Sequence, residues 1–260
     1  MTNIDRHPAG NFCWIELGTT DHAAAKNFYS SLLGWSADDM PMGPSGVYTI
    51  FRLNARDAAA GYNLNPAQIA QKVPPHWMLY IRVDSADAAA TEVASLGGTV
   101  VMAPFDVMDA GRMAVVTDPT GAYFCLWEAK RNRGIGIAGV HGTLCWADLS
   151  TPDPDRAKTF YSGLFGWQIM AGEDDTSGYL HIKNGEQFIG GIPPLTHRPP
   201  GVPAHWLPYF QVDDVDAVAK KAAGMGGKVC LPPMSMENVG RFSVISDPQG
   251  AAFAIFKSAR

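Results

Sequence analysis

Apolar positions along this chain alternate between two periods. Phe12 to Leu17 is a short, nearly unbroken apolar run and predicts a strand. Beyond it, Ala25, Phe28, Tyr29, Leu32 and Leu33 recur at the spacing that gathers side chains on one helical face. Asp21 can accept hydrogen bonds from the free amides of that helix's first turn, and Gly34 suits the left-handed position that ends it. Val47 to Leu53 and Ala58 to Leu64 predict further strands. After the Pro-rich stretch "NPAQIAQKVPP", Trp77 to Val83 predicts a strand, and about Ala86 to Leu96 a helix stopped by Gly97–Gly98. Strands around Val100, over Met113 to Thr117 and over Tyr123 to Trp127 complete the set, the last two joined by the tight turn "DPTG".

The same pattern is then written a second time. Cys13–Trp14, Phe28–Tyr29 and Gly34–Trp35 match Cys145–Trp146, Phe160–Tyr161 and Gly166–Trp167, all offset by 132. "VPPHW" matches "VPAHW" and "GRMAVVTDPTG" matches "GRFSVISDPQG", but at an offset of 129. The change in offset marks a small deletion inside the second copy. The second helix carries Asp153 as its cap, Pro154 at its first position, and Ala157, Phe160, Tyr161, Leu164 and Phe165 on one face. A period this long is a duplicated domain, not a solenoid repeat. The boundary is expected in the Gly-rich, basic connector "KRNRGIGIAG", giving domains over 1–130 and 140–260. Each copy reads as two βαβββ units.

Composition narrows the partners. With 47% hydrophobic and 17% charged residues, the chain can bury a core. A net charge of −5 with no basic block argues against nucleic acid. No apolar run is long enough to span a membrane, and no basic-then-apolar leader pattern opens the sequence. Cys13, Cys125, Cys145 and Cys230 form no Cys-x-x-Cys pair, so reduced thiols and a cytoplasmic location are expected.

Four βαβββ units, the "TTDHAAAKNFYSSLLGW" segment after the first strand and the "GR…DPxG" segment before the last together resemble the vicinal oxygen chelate superfamily: glyoxalase I, bleomycin-resistance proteins and extradiol dioxygenases. The resemblance covers nearly the whole chain and is closest to tandem glyoxalase-like proteins. It implies an α+β fold of two tandem domains, each a pair of βαβββ units whose curled mixed sheets enclose a cleft. It also implies that the two copies can pair with each other as separate chains do in single-domain relatives, so a monomer or a homodimer is expected.

In metal-dependent members of that family, His, Gln or Glu side chains hold a divalent ion that polarises substrate oxygens. Mapped onto this chain, the ligand positions fall on Trp14 and Trp146, Met78 and Leu207, Cys125 and Ala254, and near Ala59 to Gly61 or Ile189 to Gly191. Among these only Cys125 carries a ligating atom, and one thiol does not make a site. No metal or other cofactor is therefore expected. The alternative is a divalent ion on displaced ligands drawn from Glu16, His76, Glu128, Asp148 and His205.

Strand parity places Trp14 with Glu16, and His76 with Met78 and Tyr80, on shared faces. We take Glu16, His76 and Tyr80 as candidate catalytic groups. Trp14, Met78, Arg82, Tyr123, Cys125, Trp127, Trp146, Asp148 and Tyr209 are candidate ligand contacts. Each has a structural alternative: the tryptophans fill the clefts, Glu16 pairs with Arg82, His76 and His205 bond neighbouring backbone, and the tyrosines pack as cross-strand aromatics. Arg112 and Arg241 are expected to pair with loop carboxylates such as Asp109 or Glu237. The expected function is binding or modification of a small, partly aromatic molecule, with the first cleft favoured for its Tyr123, Cys125 and Trp127 strand. A metal-dependent lyase or dioxygenase, and a protein with one vestigial cleft, are the alternatives.

Overall fold

The computed structural model describes residues 2–43, 46–173, 176–198 and 200–259. After the short β1 (Thr2–Asn3), the first copy folds as β2 (Phe12–Thr19), α1 (His22–Leu33), β3 (Ser36–Pro41), β4 (Val47–Leu53), β5 (Arg56–Asn63), α2 (Pro66–Ala70), β6 (His76–Arg82), α3 (Ala86–Ser95), β7 (Thr99–Val107), β8 (Gly111–Thr117) and β9 (Tyr123–Ala129). Its eight strands lie in the order β3-β4-β5-β2-β6-β9-β8-β7. Each βαβββ unit is thus contiguous, and the two join along the antiparallel β2–β6 pair. The second copy follows the connector strand β10 (Ile137–Ala138), which pairs with β1. It comprises β11 (Leu144–Ser150), α4 (Pro154–Phe165), β12 (Gln168–Ala171), β13 (Leu180–Asn184), β14 (Gln187–Ile192), β15 (His205–Gln211), α5 (Val215–Gly224), β16 (Lys228–Met236), β17 (Gly240–Ser246) and β18 (Ala252–Ser258). Its strand order, β12-β13-β14-β11-β15-β18-β17-β16, repeats the first. Among the described residues no helix is long and apolar enough to cross a membrane.

The helix caps form as their sequences require. Asp21 and Asp153 accept from the amides of Ala24 and Arg156, each at 3.0 Å, and Gly34 and Gly166 take the left-handed conformation. Two elements escape a hydrophobic-pattern reading. β3 is an exposed edge strand, "SADDMP", with no apolar alternation to announce it. The helix α2 lies within the Pro-rich stretch and is started by a capping box between Asn65 and Gln68.

Alternation along the strands sorts two faces. Cys13, Ile15 and Leu17 of β2, Trp77, Leu79 and Ile81 of β6, and Phe124 and Leu126 of β9 point inward and are buried. They meet a helix layer shared by both copies: α1 lies beside α5 and α3 beside α4, between the two sheets. One continuous apolar core results.

Six hydrogen bonds run through this layer in two matching sets, four of them joining one copy to the other. Trp77 Nε1 donates to Tyr29 Oη at 3.0 Å, and Tyr29 donates to Asp247 Oδ2 in the other copy at 3.0 Å. Trp206 Nε1 donates to Tyr161 at 3.0 Å, and Tyr161 donates to Asp118 Oδ2 at 3.1 Å. Trp35 Nε1 donates to the Gly142 carbonyl at 2.8 Å and Trp167 Nε1 to the Gly10 carbonyl at 2.9 Å. Asp118 and Asp247 are the aspartates of the "DPxG" turns, and their other oxygens accept the turn amides. The repeated "FY", "GW" and "DPxG" signatures therefore hold the copies together.

Arg112 and Arg241 do not pair with Asp109 or Glu237. Arg112 grips Asp87 at 2.7 and 2.9 Å and Arg241 grips Asp216 at 2.7 Å twice, because the helix that follows β6 or β15 brings its first-turn carboxylate over the neighbouring strand.

Tyr29→Phe and Tyr161→Phe each leave a buried indole N–H and a carboxylate oxygen without a partner. Each is expected to lower stability by about 1–3 kcal/mol, read as a shifted midpoint in urea; a midpoint unchanged in both variants would contradict this role.

Candidate functional site

The outer face of each sheet carries the cleft, and each cleft has the same polar floor. In the first, β2 presents Trp14 and Glu16, and β4 and β6 bring Tyr48 and Tyr80 to the carboxylate. Tyr80 donates to Glu16 Oε1 at 2.5 Å and Tyr48 to Oε2 at 3.0 Å, while Trp14 Nε1 donates to Tyr48 at 3.2 Å. In the second, Tyr179 donates to Asp148 Oδ1 at 2.5 Å and Tyr209 to Oδ2 at 2.7 Å. Trp146 Nε1 lies 3.1 Å from Asp148 Oδ1 and 2.9 Å from Tyr179 Oη. A carboxyl, two phenols and an indole converge in both.

Burial pushes both carboxyls above their ordinary values, and the phenol hydrogen bonds pull them only partly back. Burial and the adjacent carboxyl push Tyr48, Tyr80, Tyr179 and Tyr209 up as well, so all four phenols stay protonated.

The two floors reach the same contacts by different steric routes. Glu16 is paired with Ala60 of β5, and Asp148 with Gly191 of β14. A β-carbon on Gly191 would fall inside the Tyr179 ring. The shorter Asp148 is met because Tyr179 descends over a glycine, whereas in the first cleft the longer Glu16 reaches up across an alanine. The next strand differs too: Ile50 faces Ala60 in the first cleft and His181 faces Gly191 in the second.

The other candidates distribute as follows. Met78 is half-buried opposite Glu16 in the register. Cys125 is paired with Tyr80 and buried, its thiol pushed well up by that burial, so it is no activated nucleophile. Trp127 stands edge-on to Tyr80 with centroids 6.0 Å apart, and its Nε1 is taken by the Asn132 carbonyl at 3.0 Å. Tyr123 is exposed at the start of β9. Arg82 does not pair with Glu16: it meets Asp84 at 2.6 Å, since the strand's end carries it past the floor. His76 and His205 bond the carbonyls of Pro74 at 2.8 Å and Pro203 at 2.9 Å, and neither is among the hydrogen-bond partners of Glu16 or Asp148. Cys13 and Ala147 lie on the core side.

Tyr48, Tyr179 and His181 are not evident from sequence. They lie where the two copies no longer align, between the stretches of offset 132 and 129. Tyr48 and Tyr179 differ by 131, an intermediate offset that was the available signal.

The donor set does not suit the divalent ion that metal-dependent relatives carry. The indoles of Trp14 and Trp146, the positions to which the family's first ligand maps from sequence, offer no lone pair to a metal. The neighbouring carboxylates are engaged by phenols. Among the described residues no three His, Cys, Asp or Glu side chains converge.

Residues 12–126 and 143–255 each match the model of the Glyoxalase/Bleomycin resistance protein/Dioxygenase superfamily, and the chain belongs to that family. It is 45% identical over 267 residues to a Mycobacterium tuberculosis protein named "Putative glyoxylase CFP32", covering 100% of this chain and 99% of that one. It is 32% identical to the "Anthracycline biosynthesis protein DnrV" of Streptomyces peucetius, covering 97% and 94%. Among solved structures, the Mn(II)-bound glyoxalase from Novosphingobium aromaticivorans superposes with a TM-score of 0.64 at 15% identity, covering 95% of this chain and 82% of that chain. A variant of homoprotocatechuate 2,3-dioxygenase from B. fuscum gives 0.67 at 15%, covering 98% and 73%. These two likenesses are of fold.

Gly191→Ala is expected to displace Tyr179 from Asp148, change Trp146 fluorescence and cost about 1–3 kcal/mol. Adding Asp148→Glu, which recreates the first cleft's pairing, is expected to recover part of the loss in the same urea titration.

The raised carboxyls set a second expectation. A carboxyl whose folded pKa exceeds its unfolded one is better protonated in the folded state. Its contribution is therefore full at low pH and is lost as pH rises through the folded value, a window that opens near the ordinary 4.5 of Glu16 and 3.8 of Asp148. Glu16→Gln and Asp148→Asn should each flatten the decline of stability above that point, measured by urea melts at stepped pH.

Proposed function

We propose that this protein binds, and in at least one cleft modifies, a small planar and partly aromatic molecule, without the divalent ion that serves metal-dependent relatives. The observation that carries this reading is the carboxyl–phenol–phenol–indole floor, present in both clefts at the place where metal ligation would begin. Such a floor offers aromatic surface for stacking and a few fixed polar groups for orientation, the usual composition of a small-molecule site. The outermost strands of the two sheets and the loops beside them add exposed, adaptable apolar side chains: Met40, Met42, Met102, Phe105 and Met108 in the first, and Met170, Met234 and Met236 in the second. The name of the 32%-identical relative, an anthracycline biosynthesis protein, agrees with a fused-ring ligand.

A thermal-shift screen tests this. Planar aromatic ketones and quinones should raise the melting temperature and quench tryptophan fluorescence, the latter less in Trp146→Phe. Mn²⁺, Ni²⁺, Zn²⁺, Co²⁺ and Fe²⁺ should leave the melting temperature unchanged. Stoichiometric binding of one of these ions, abolished by Glu16→Gln or Asp148→Asn, would overturn the metal-free reading.

A further inference from the structure

The two clefts share a floor but not its neighbour. At the position where the first cleft has Ile50, buried and inert, the second has His181, half-buried on the same face as Asp148. The imidazole lies with its centroid 5.0 Å from the Tyr179 ring, 6.4 Å from Trp146 and 5.6 Å from Phe188. Among the described residues its ring nitrogens have no hydrogen-bond partner. Those of His76 and His205, by contrast, are committed to backbone carbonyls. Tyr179 bridges the two ends of this group, in ring contact with His181 and hydrogen-bonded to Asp148 at 2.5 Å. Trp146 is also half-buried here, while its counterpart Trp14 is 3% exposed, so the second floor is the one whose aromatic wall a ligand can touch.

We propose that the second cleft is a proton-transfer site for enolisable ketones that carry an aromatic ring beside the acidic carbon, with His181 as the base and Tyr179, backed by Asp148, as the acid. The proposal rests on the small-molecule reading above and assigns chemistry to one of its clefts. A ketone whose ring lies against Trp146 and Phe188 would bring its carbonyl oxygen to Tyr179 and its acidic C–H to the imidazole. His181 takes that proton, the C–H bond breaks, and its electron pair moves to the carbonyl oxygen as an enolate. In the reacting form Asp148 carries a proton and the Tyr179–Asp148 hydrogen bond runs the other way, from the carboxyl to the phenol, so Tyr179 gives its phenolic proton to the enolate oxygen and regains one from Asp148. Reversal, with a proton from the imidazolium returned to the same carbon, restores the ketone, with its hydrogen exchanged or, where that carbon is stereogenic, its configuration inverted. No oxidant, reductant or co-reactant is needed, and atoms balance. Burial raises the Asp148 carboxyl above its ordinary value, which makes its proton easier to keep for this step. The first cleft has the acid half and lacks the base.

The test follows exchange of the benzylic C1 hydrogens of 2-tetralone in D₂O by proton NMR, with binding of the same compound followed by tryptophan quenching. The intact chain should exchange them faster than buffer alone. His181→Ile, which copies the first cleft, and His181→Gln should each lose about a hundredfold or more of that excess while still binding the ketone, the range general acid–base groups contribute. Tyr179→Phe should lose a comparable share, and His197→Gln, on an exposed turn, none. Binding without exchange above buffer, or exchange equal in the His181 variants and the intact chain, overturns the proposal and leaves the binding reading standing. Failure of the chain to bind 2-tetralone or any planar ketone of the screen overturns both.

Discussion

The structure depends on a tyrosine hydroxyl held between an indole and a carboxylate from opposite copies. Tyr29 accepts from Trp77 in its own copy and donates to Asp247 in the other, and Tyr161 does the same between Trp206 and Asp118. Each aspartate also ties its own tight turn through three backbone amides or through amides and a threonine hydroxyl. The tyrosines, the indoles of Trp77 and Trp206 and both aspartates are buried, so their polar atoms are costly to leave unpaired. The apolar faces of the helices could pack in several ways; these directional bonds choose one. With the helix layer fixed between them, the sheets must turn their other faces outward, and the clefts follow.

Within each cleft the decisive constraint is length matching between a carboxylate and the residue beside it. Glu16 with Ala60 and Asp148 with Gly191 are two solutions to one distance problem. The coupling explains why a glycine is needed at 191, although its backbone conformation is open to any residue. The requirement comes from the Tyr179 ring above it.

Much of this was legible in the sequence. The two periodicities, the caps and the offset matches give the duplicated βαβββ architecture, since long apolar faces and helix caps are local properties. Parity along β2 and β11 brought Trp14 with Glu16 and Trp146 with Asp148. Tyr80 and Tyr209 followed from β6 and β15. The partners from β4 and β13 were not legible, because pairing across a sheet depends on register that a loop of altered length conceals. The same limit misassigned Arg82 and Arg112: Arg82 meets Asp84 just past its own strand's end, and Arg112 meets Asp87 because a helix lies over its strand. His76 looked like the imidazole to watch, being part of a repeated motif, yet its repetition reflects a shared bond to a proline carbonyl. His181, which is not repeated, is the imidazole that lies in a cleft.

The helix layer between the sheets has one more consequence. If two identical chains were joined in this way, every substitution would appear on both outer faces at once, and any residue unsuited to one role would damage both. A covalent duplication removes that mirror. Ile50 and His181, or Ala60 and Gly191, can then be tried separately, one pocket keeping an ancestral arrangement while the other departs from it. The shared interior stays under common constraint, since hydrogen bonds of Tyr29, Tyr161, Trp35 and Trp167 each join one copy to the other. The outward surfaces are thus released from each other, and the two halves are free to become different tools on one handle.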